Sequence, residues 1–249
     1  MDHDFLSQIE DAALNAWPAP RQMIYDGWML RFANGYTKRA NSVNVHFESK
    51  LSLAEKLRVC EKIYERMGLP VIFRLPDPFV SPELMAALDQ AGHQVFDPTY
   101  VLGQEIERRE KIPETVQMRE MDPEAWVKLR AELTGTSVDH WRVHREILKV
   151  IVPEKVLLGM YINDRAVACG MGVVEGDLLG YFSIYVGEQF RRNGYGEIMM
   201  WGLTNWGVDR GAKFGYLQVE GDNQPALALY EKMGFKVCYR YVYSKRSEN

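Results

Sequence analysis

The amino-acid sequence predicts a mixed α+β fold in two related halves, each a mostly antiparallel twisted sheet flanked by helices. Three observations carry that expectation. Residues 155–186 read as three consecutive strands joined by short polar turns. Residues 194–243 then alternate helix, strand, helix and strand. Residues 53–92 hold a fainter version of that later alternation, with glycine stops at matching places.

In the first half, Gly27–Phe32 and Arg39–Val43 read as two facing strands. Their polar members Arg31, Arg39 and Asn41 face either a cleft between the halves or solvent along a sheet edge. Leu53, Leu57, Cys60, Tyr64 and Met67 recur at helical spacing and bury one face, and Gly68 stops that helix. Val71–Leu75 is a strand, Pro82 opens a helix, and Gly92 ends it before a further strand. Glu107–Pro113, charged and closed by proline, is the expected boundary and divides the chain into residues 1–110 and 113–249.

In the second half, Thr115–Arg119 is a strand, and Asp122 caps a helix with Pro123 in its first turn. A second helix occupies Ser137–Val150. Lys155–Ile162, Arg165–Val174 and Leu178–Val186 are strands, linked by Asn163-Asp164 and Glu175-Gly176-Asp177. A long helix covers Gly194–Asp209, apolar around much of its circumference, with Gly202 and Gly207 admitting a close neighbour. Phe214–Glu220 is a strand, Asn223–Met233 a helix stopped by Gly234, and Val237–Tyr243 the last strand. Offsetting the numbering by 142 places Ser81 on Asn223, Leu88 on Tyr230 and Gly92 on Gly234. That match points to a diverged duplication.

Composition limits the function. The 249 residues are 47% hydrophobic and 26% charged, which suits a folded soluble chain. A net charge of −4 argues against a general nucleic-acid binder. No apolar stretch is long enough for a membrane span, and Met1-Asp2-His3-Asp4 lacks a signal peptide's basic and apolar regions. Cys60, Cys169 and Cys238 are far apart, with no disulfide framework or CxxC pattern, so the cytoplasm is the expected setting. His140 and His144 have a metal-compatible spacing, but no nearby Cys or His completes a set, so no metal is expected. Trp141 beside them reads as a core tryptophan or a pocket wall.

The chemistry-bearing segment is Val186-Gly187-Glu188-Gln189-Phe190-Arg191-Arg192-Asn193-Gly194-Tyr195-Gly196. It sets a strand, then a turn with two glycines, directly before a helix. Glycines there let a ligand approach the backbone, the first-turn N–H groups bind phosphate oxygens, and Arg191 and Arg192 add charge. On its own, such a loop is equally a tight strand-to-helix turn.

Arg191-x-x-Gly194-x-Gly196, followed by Asn223 and then Tyr230-Glu231-Lys232-Met233-Gly234-Phe235, resembles the GCN5-related N-acetyltransferase (GNAT) superfamily over about residues 113–245. The resemblance implies an acetyl-CoA cosubstrate and an amine acceptor and, taken with the duplication, two GNAT-like domains. It also implies that the Arg191–Gly196 loop holds the pyrophosphate and that Ile184-Tyr185-Val186 pairs with the pantetheine arm. Asn223 would contact that arm, and Tyr230 would protonate the departing thiolate. A phenol remains protonated at neutral pH and can donate, although Tyr230 also shares an apolar helix face with Ala226, Leu229 and Met233.

The general base is less marked. Relatives that acetylate protein N-termini carry a glutamate where this chain has Gln218, whose amide is no base. Glu220 lies two residues along the same strand face and is the candidate base, directly or through water. Glu175 and Asp177 are alternatives. No cysteine occupies these positions, so direct attack by a primary amine is expected, with small molecules favoured over a protein lysine or N-terminus, or over a non-catalytic acetyl-CoA-binding module. The sequence leaves the oligomeric state open. In the first half, Ser49–Ala54 stands where the loop would be and has no glycine, while Ser81 and Leu88 replace Asn223 and Tyr230. One acetyl-CoA per chain is therefore expected.

Overall fold

The computed structural model describes residues 1–45, 47, 50–109 and 112–246. Ser49, at the start of the segment matched to the glycine loop, lies outside them. The first half comprises α1 (His3–Ala16), β1 (Arg21–Tyr25), β2 (Trp28–Phe32), β3 (Val43–Val45), α2 (Leu53–Arg66), β4 (Phe73–Pro76), α3 (Pro82–Gln90) and β5 (His93–Glu105). The second comprises β6 (Val116–Glu120), α4 (Pro123–Thr134), α5 (Arg142–Val150), β7 (Glu154–Ile162), β8 (Arg165–Glu175), β9 (Leu178–Val186), α6 (Tyr195–Val208), β10 (Phe214–Glu220), α7 (Gln224–Lys232) and β11 (Lys236–Arg246).

The expectation of one sheet per half is corrected. The eleven strands of the described residues form a single sheet in the order β1-β2-β3-β4-β11-β5-β10-β9-β8-β7-β6. The halves interdigitate: β5 of the first half pairs with β10 from Phe214↔Glu105 to Glu220↔Thr99. On its other side β5 pairs with β11, and β11 in turn pairs with β4. Without this exchange, β10 and β4 would each present an unpaired edge with its backbone donors and acceptors unsatisfied. Ladders are antiparallel except β9–β10 and β3–β4.

The predicted strand Arg39–Val43 is also corrected. Lys38–Ala40 is a single 3-10 turn, and the strand beside β2 is β3, with Trp28 opposite Val45. The cause is Asn41. Its side-chain oxygen accepts from Ala33 N (2.8 Å) and Gly35 N (3.0 Å), and its amide donates to Tyr36 O and Thr37 O. That clamp holds residues 33–41 as a loop. Arg31 faces no cleft. It is buried, donating to the carbonyls of Leu14, Trp17 and Arg39.

Helix α1, capped by Asp2, packs across the junction: Ile9, Ala13 and Trp17 join Trp126, Phe182, Tyr216 and Tyr241 in a core shared by both halves. Buried Glu10 accepts from Arg74 of β4 and, at 2.6 Å, from Tyr239 of β11. Three separate segments are thereby tied to one carboxylate. Helix α6 lies close on the opposite face, where a Cβ on Gly207 would sit 2.7 Å from Leu179. Among the described residues no helix is long and apolar enough to cross a membrane.

Candidate active site

The site opens where two parallel strands part. β9 and β10 pair from Phe214↔Leu178 to Leu217↔Tyr181 and no further, although β9 continues to Val186 and β10 to Glu220. The parting coincides with an irregularity in β9. Ser183 adopts φ +53°, and the register with β8 shifts between Cys169 and Met171. Arg130 of α4 fixes this bulge by donating Nη1 to the Ser183 carbonyl at 2.7 Å. Two cavities lie at the divergence.

The first, about 690 Å³, gathers Ile184, Tyr185, Val186, Arg191, Arg192, Gly194, Tyr195, Gly196, Asn223 and Tyr230. Gly194 is the N-cap of α6 at φ +78°, and no side chain caps that helix. Asp2, Ser52, Ser81, Asp122 and Asn223 each cap theirs. The first-turn N–H groups of α6 thus adjoin a cleft without a side-chain acceptor of their own, the arrangement that suits an anion. The Arg191 guanidinium is half exposed there, with Glu188 at 3.5 Å. Asn193 does not line the cleft; its amide donates to Phe190 O and Arg191 O and shapes the loop. Asn223 lines it while accepting from Ala226 N at 3.3 Å. Burial pushes the Tyr230 phenol up to about 12, so it holds its proton at neutral pH. Its ring meets Phe235 edge-on at 5.9 Å.

The second cavity, about 460 Å³, includes Glu220 and is shared between the halves. Tyr36, Lys38 and Arg39 come from the Asn41-clamped loop and Thr99 from β5; Arg130, His144, Ser183 and Gln218 come from the second half. Both volumes fall within the range of about 300–1,000 Å³ usual for small-ligand sites. Glu220 is exposed, 3.8 Å from Lys38, which also pairs with Asp97. Gln218 accepts from Tyr241 OH at 2.9 Å. His144 Nδ1 lies 2.9 Å from Tyr36 OH, and burial together with nearby Arg130 brings the imidazole down to about 3. It is neutral at physiological pH. His140 is exposed, so the two histidines share no ligand cavity. Trp141 is buried and donates to Thr136 Oγ1 at 2.7 Å. Glu175 accepts from Asn15 at 2.9 Å, and neither it nor Asp177 lines either cavity.

Sequence reading did not single out Trp17, Tyr36, Arg130, Tyr241 or Tyr243, all of which wall the second cavity. Arg130 carried a usable signal: an arginine on a helix face otherwise occupied by Trp126, Val127 and Ala131. Tyr36 carried none.

Comparison with known proteins agrees with the geometry. A family model described as "Probable histone acetyltransferase Rv0428c C-terminal" matches residues 6–244. The "Uncharacterized N-acetyltransferase YobR" of Bacillus subtilis is 29% identical over 246 residues, covering 96% of this chain and 98% of that protein. A GCN5-related N-acetyltransferase from Kribbella flavida superposes with a TM-score of 0.71 at 15% identity, over 98% of this chain and 96% of its own. A tandem GNAT protein from the clavulanic acid biosynthesis pathway gives 0.65 at 10% identity, over 84% and 76%. At these identities the two solved structures establish likeness of fold.

Proposed function

We propose that this chain, which belongs to the GCN5-related N-acetyltransferase family, transfers an acetyl group from acetyl-CoA to a primary amine of a small molecule. The observation that carries this reading is the pair of cavities beside the β9–β10 divergence, one lined by the uncapped start of α6 and the other holding a carboxylate.

Residues 113–249 would hold acetyl-CoA. The open strand Ile184–Val186 offers backbone groups to the pantetheine arm, the α6 N-terminus with Arg191, Arg192, Gly194 and Gly196 takes the pyrophosphate, and Asn223 flanks the arm. Asn193 and Tyr195 shape the loop and the entry to α6. Acetyl-CoA supplies the thioester: a nitrogen–carbon bond forms as the carbon–sulfur bond breaks. Glu220 takes the proton from the incoming nitrogen, directly or through water, and Tyr230 gives its phenolic proton to the departing sulfur. Burial raises all three thiols, Cys60, Cys169 and Cys238, which favours direct attack over a cysteine relay. Residues 1–110 wall the acceptor cavity and supply β5, so one acetyl-CoA binds per chain.

A protein lysine is the second reading, favoured by the name of the matching family. CoA release from acetyl-CoA with a panel of small amines, alongside mass spectrometry on a peptide panel, separates the two. Release with small amines and no peptide shift supports the proposal, and the reverse result replaces it.

A further inference from the structure

The second cavity carries charge and donors that the transfer chemistry leaves unused. Arg39 and Arg130 both line it, and among the described residues neither pairs with a carboxylate. Both stack on aromatic rings: Arg39 lies over Trp17 at 5.8 Å and Arg130 over Trp141 at 4.6 Å, while Arg130 also donates Nη1 to the Ser183 carbonyl. Arg39 Nε, Arg130 Nε and Gln218 Nε2 are buried without a hydrogen-bond partner. All three atoms are donors, and buried donors call for acceptors. Lys38 differs, because Asp97 and Glu220 already answer its charge.

The positive field reaches into the protein. Burial, then Arg74 and Arg39, hold the Arg31 guanidinium down to about 10. Arg130 acts in the same direction on His144, which adds no charge of its own. The cavity is therefore lined by two arginines without carboxylate partners and by buried donors short of acceptors, while Glu220 stands on the other side of the balance.

We infer that the acceptor carries a carboxylate beside its amine, with Arg39 and Arg130 taking the carboxylate and Glu220 facing the amine. This rests on the acetyl-transfer reading above. An arginine presents a planar fork matched to a carboxylate, and a desolvated charge-assisted contact is stronger than one in water. The same two arginines repel the lysine-rich tail of a basic protein. The ligand class is a zwitterionic amine of amino-acid size, which suits a cavity of about 460 Å³.

The test uses the full chain with CoA present and the twenty common amino acids beside their carboxamides. Calorimetry reads binding without turnover, and CoA release from acetyl-CoA reads transfer. At least one amino acid is expected to bind tenfold or more tightly than its carboxamide. Arg39→Met is expected to remove that preference and Arg39→Lys to restore part of it, while acetyl-CoA affinity, which also reports folding, stays unchanged. Equal binding of acid and amide, binding of neither, or a preference that survives in Arg39→Met overturns the inference. Transfer to uncharged amines without acid preference overturns this inference alone. Acid-selective binding without CoA release from any amine leaves the carboxylate site at Arg39 and Arg130 standing and overturns the acetyl-transfer reading instead.

Discussion

Ser183 and Ile184 are consecutive residues of β9, yet Ser183 lines the smaller cavity with Glu220 and Ile184 lines the larger one with Tyr230. The change falls at the Ser183 bulge, and Arg130 holds that bulge through the Ser183 carbonyl. Tyr230 and Glu220 stand in the two different cavities, so the proposed acid and base approach from opposite sides of the divergence.

Tyr230→Phe tests the acid. The substitution keeps the ring against Phe235 and removes only the phenolic proton. Melting temperature should barely change, while kcat falls by roughly 10²-fold or more. Because burial raises this phenol to about 12, wild-type turnover should show no tyrosine-linked loss between pH 7 and 9. Wild-type kcat in the variant removes Tyr230 from the mechanism.

Gly194→Val tests the anion site. Gly194 has φ +78°, and a Cβ there would meet no protein atom within 4 Å, so the constraint is backbone conformation rather than protein crowding. A β-branched residue in this region costs on the order of 1–2 kcal/mol and disturbs the start of α6. Acetyl-CoA affinity should fall at least tenfold by calorimetry. A folded variant with unchanged affinity would show that the pyrophosphate lies elsewhere.

Glu10→Ala tests the joining of the halves. The change strands the buried Arg74 guanidinium and leaves Tyr239 without its acceptor. Breaking a buried pair from one side costs about 3–5 kcal/mol. Urea unfolding of the intact chain should show a loss of that size as one cooperative transition, because the strands Arg74 and Tyr239 occupy belong to one sheet. A loss below about 1 kcal/mol would mean that this carboxylate contributes little to cohesion.

The second half was legible because its signals are local. Asn163-Asp164 and Gly176 both take positive φ in the tight turns their chemistry suggests, and Asp122 and Asn223 cap the helices they precede. The glycine loop was legible for the same reason. Helix α1 was not, since its buried side includes Glu10 among small residues such as Ala12 and Ala13 and shows no plain apolar stripe. The exchange of β5 and β11 left no local trace. Alternation within a strand records which face is buried, not which strand lies beside it. The smaller cavity is hidden for a related reason: Tyr36 and His144 are 108 positions apart and meet only once the sheet has closed.

His144 gives the last prediction, and it concerns stability against pH. The folded imidazole is lowered to about 3 by burial and by Arg130, whereas an unfolded histidine titrates near 6.5. Below about 6.5 the unfolded chain takes up a proton that the folded chain refuses, so stability is full above that pH and declines as pH falls toward 3. One such group contributes a slope of at most about 1.4 kcal/mol per pH unit. Carboxylates titrate in the lower part of the same window, so the useful quantity is a difference. Urea unfolding of wild type and His144→Gln between pH 5 and 7.5 should give a shallower decline in the variant, the gap narrowing as pH falls because the variant lacks the titrating ring. Parallel curves would mean that the buried imidazole accepts a proton in the folded chain and that the Tyr36–His144 contact persists with a charged ring.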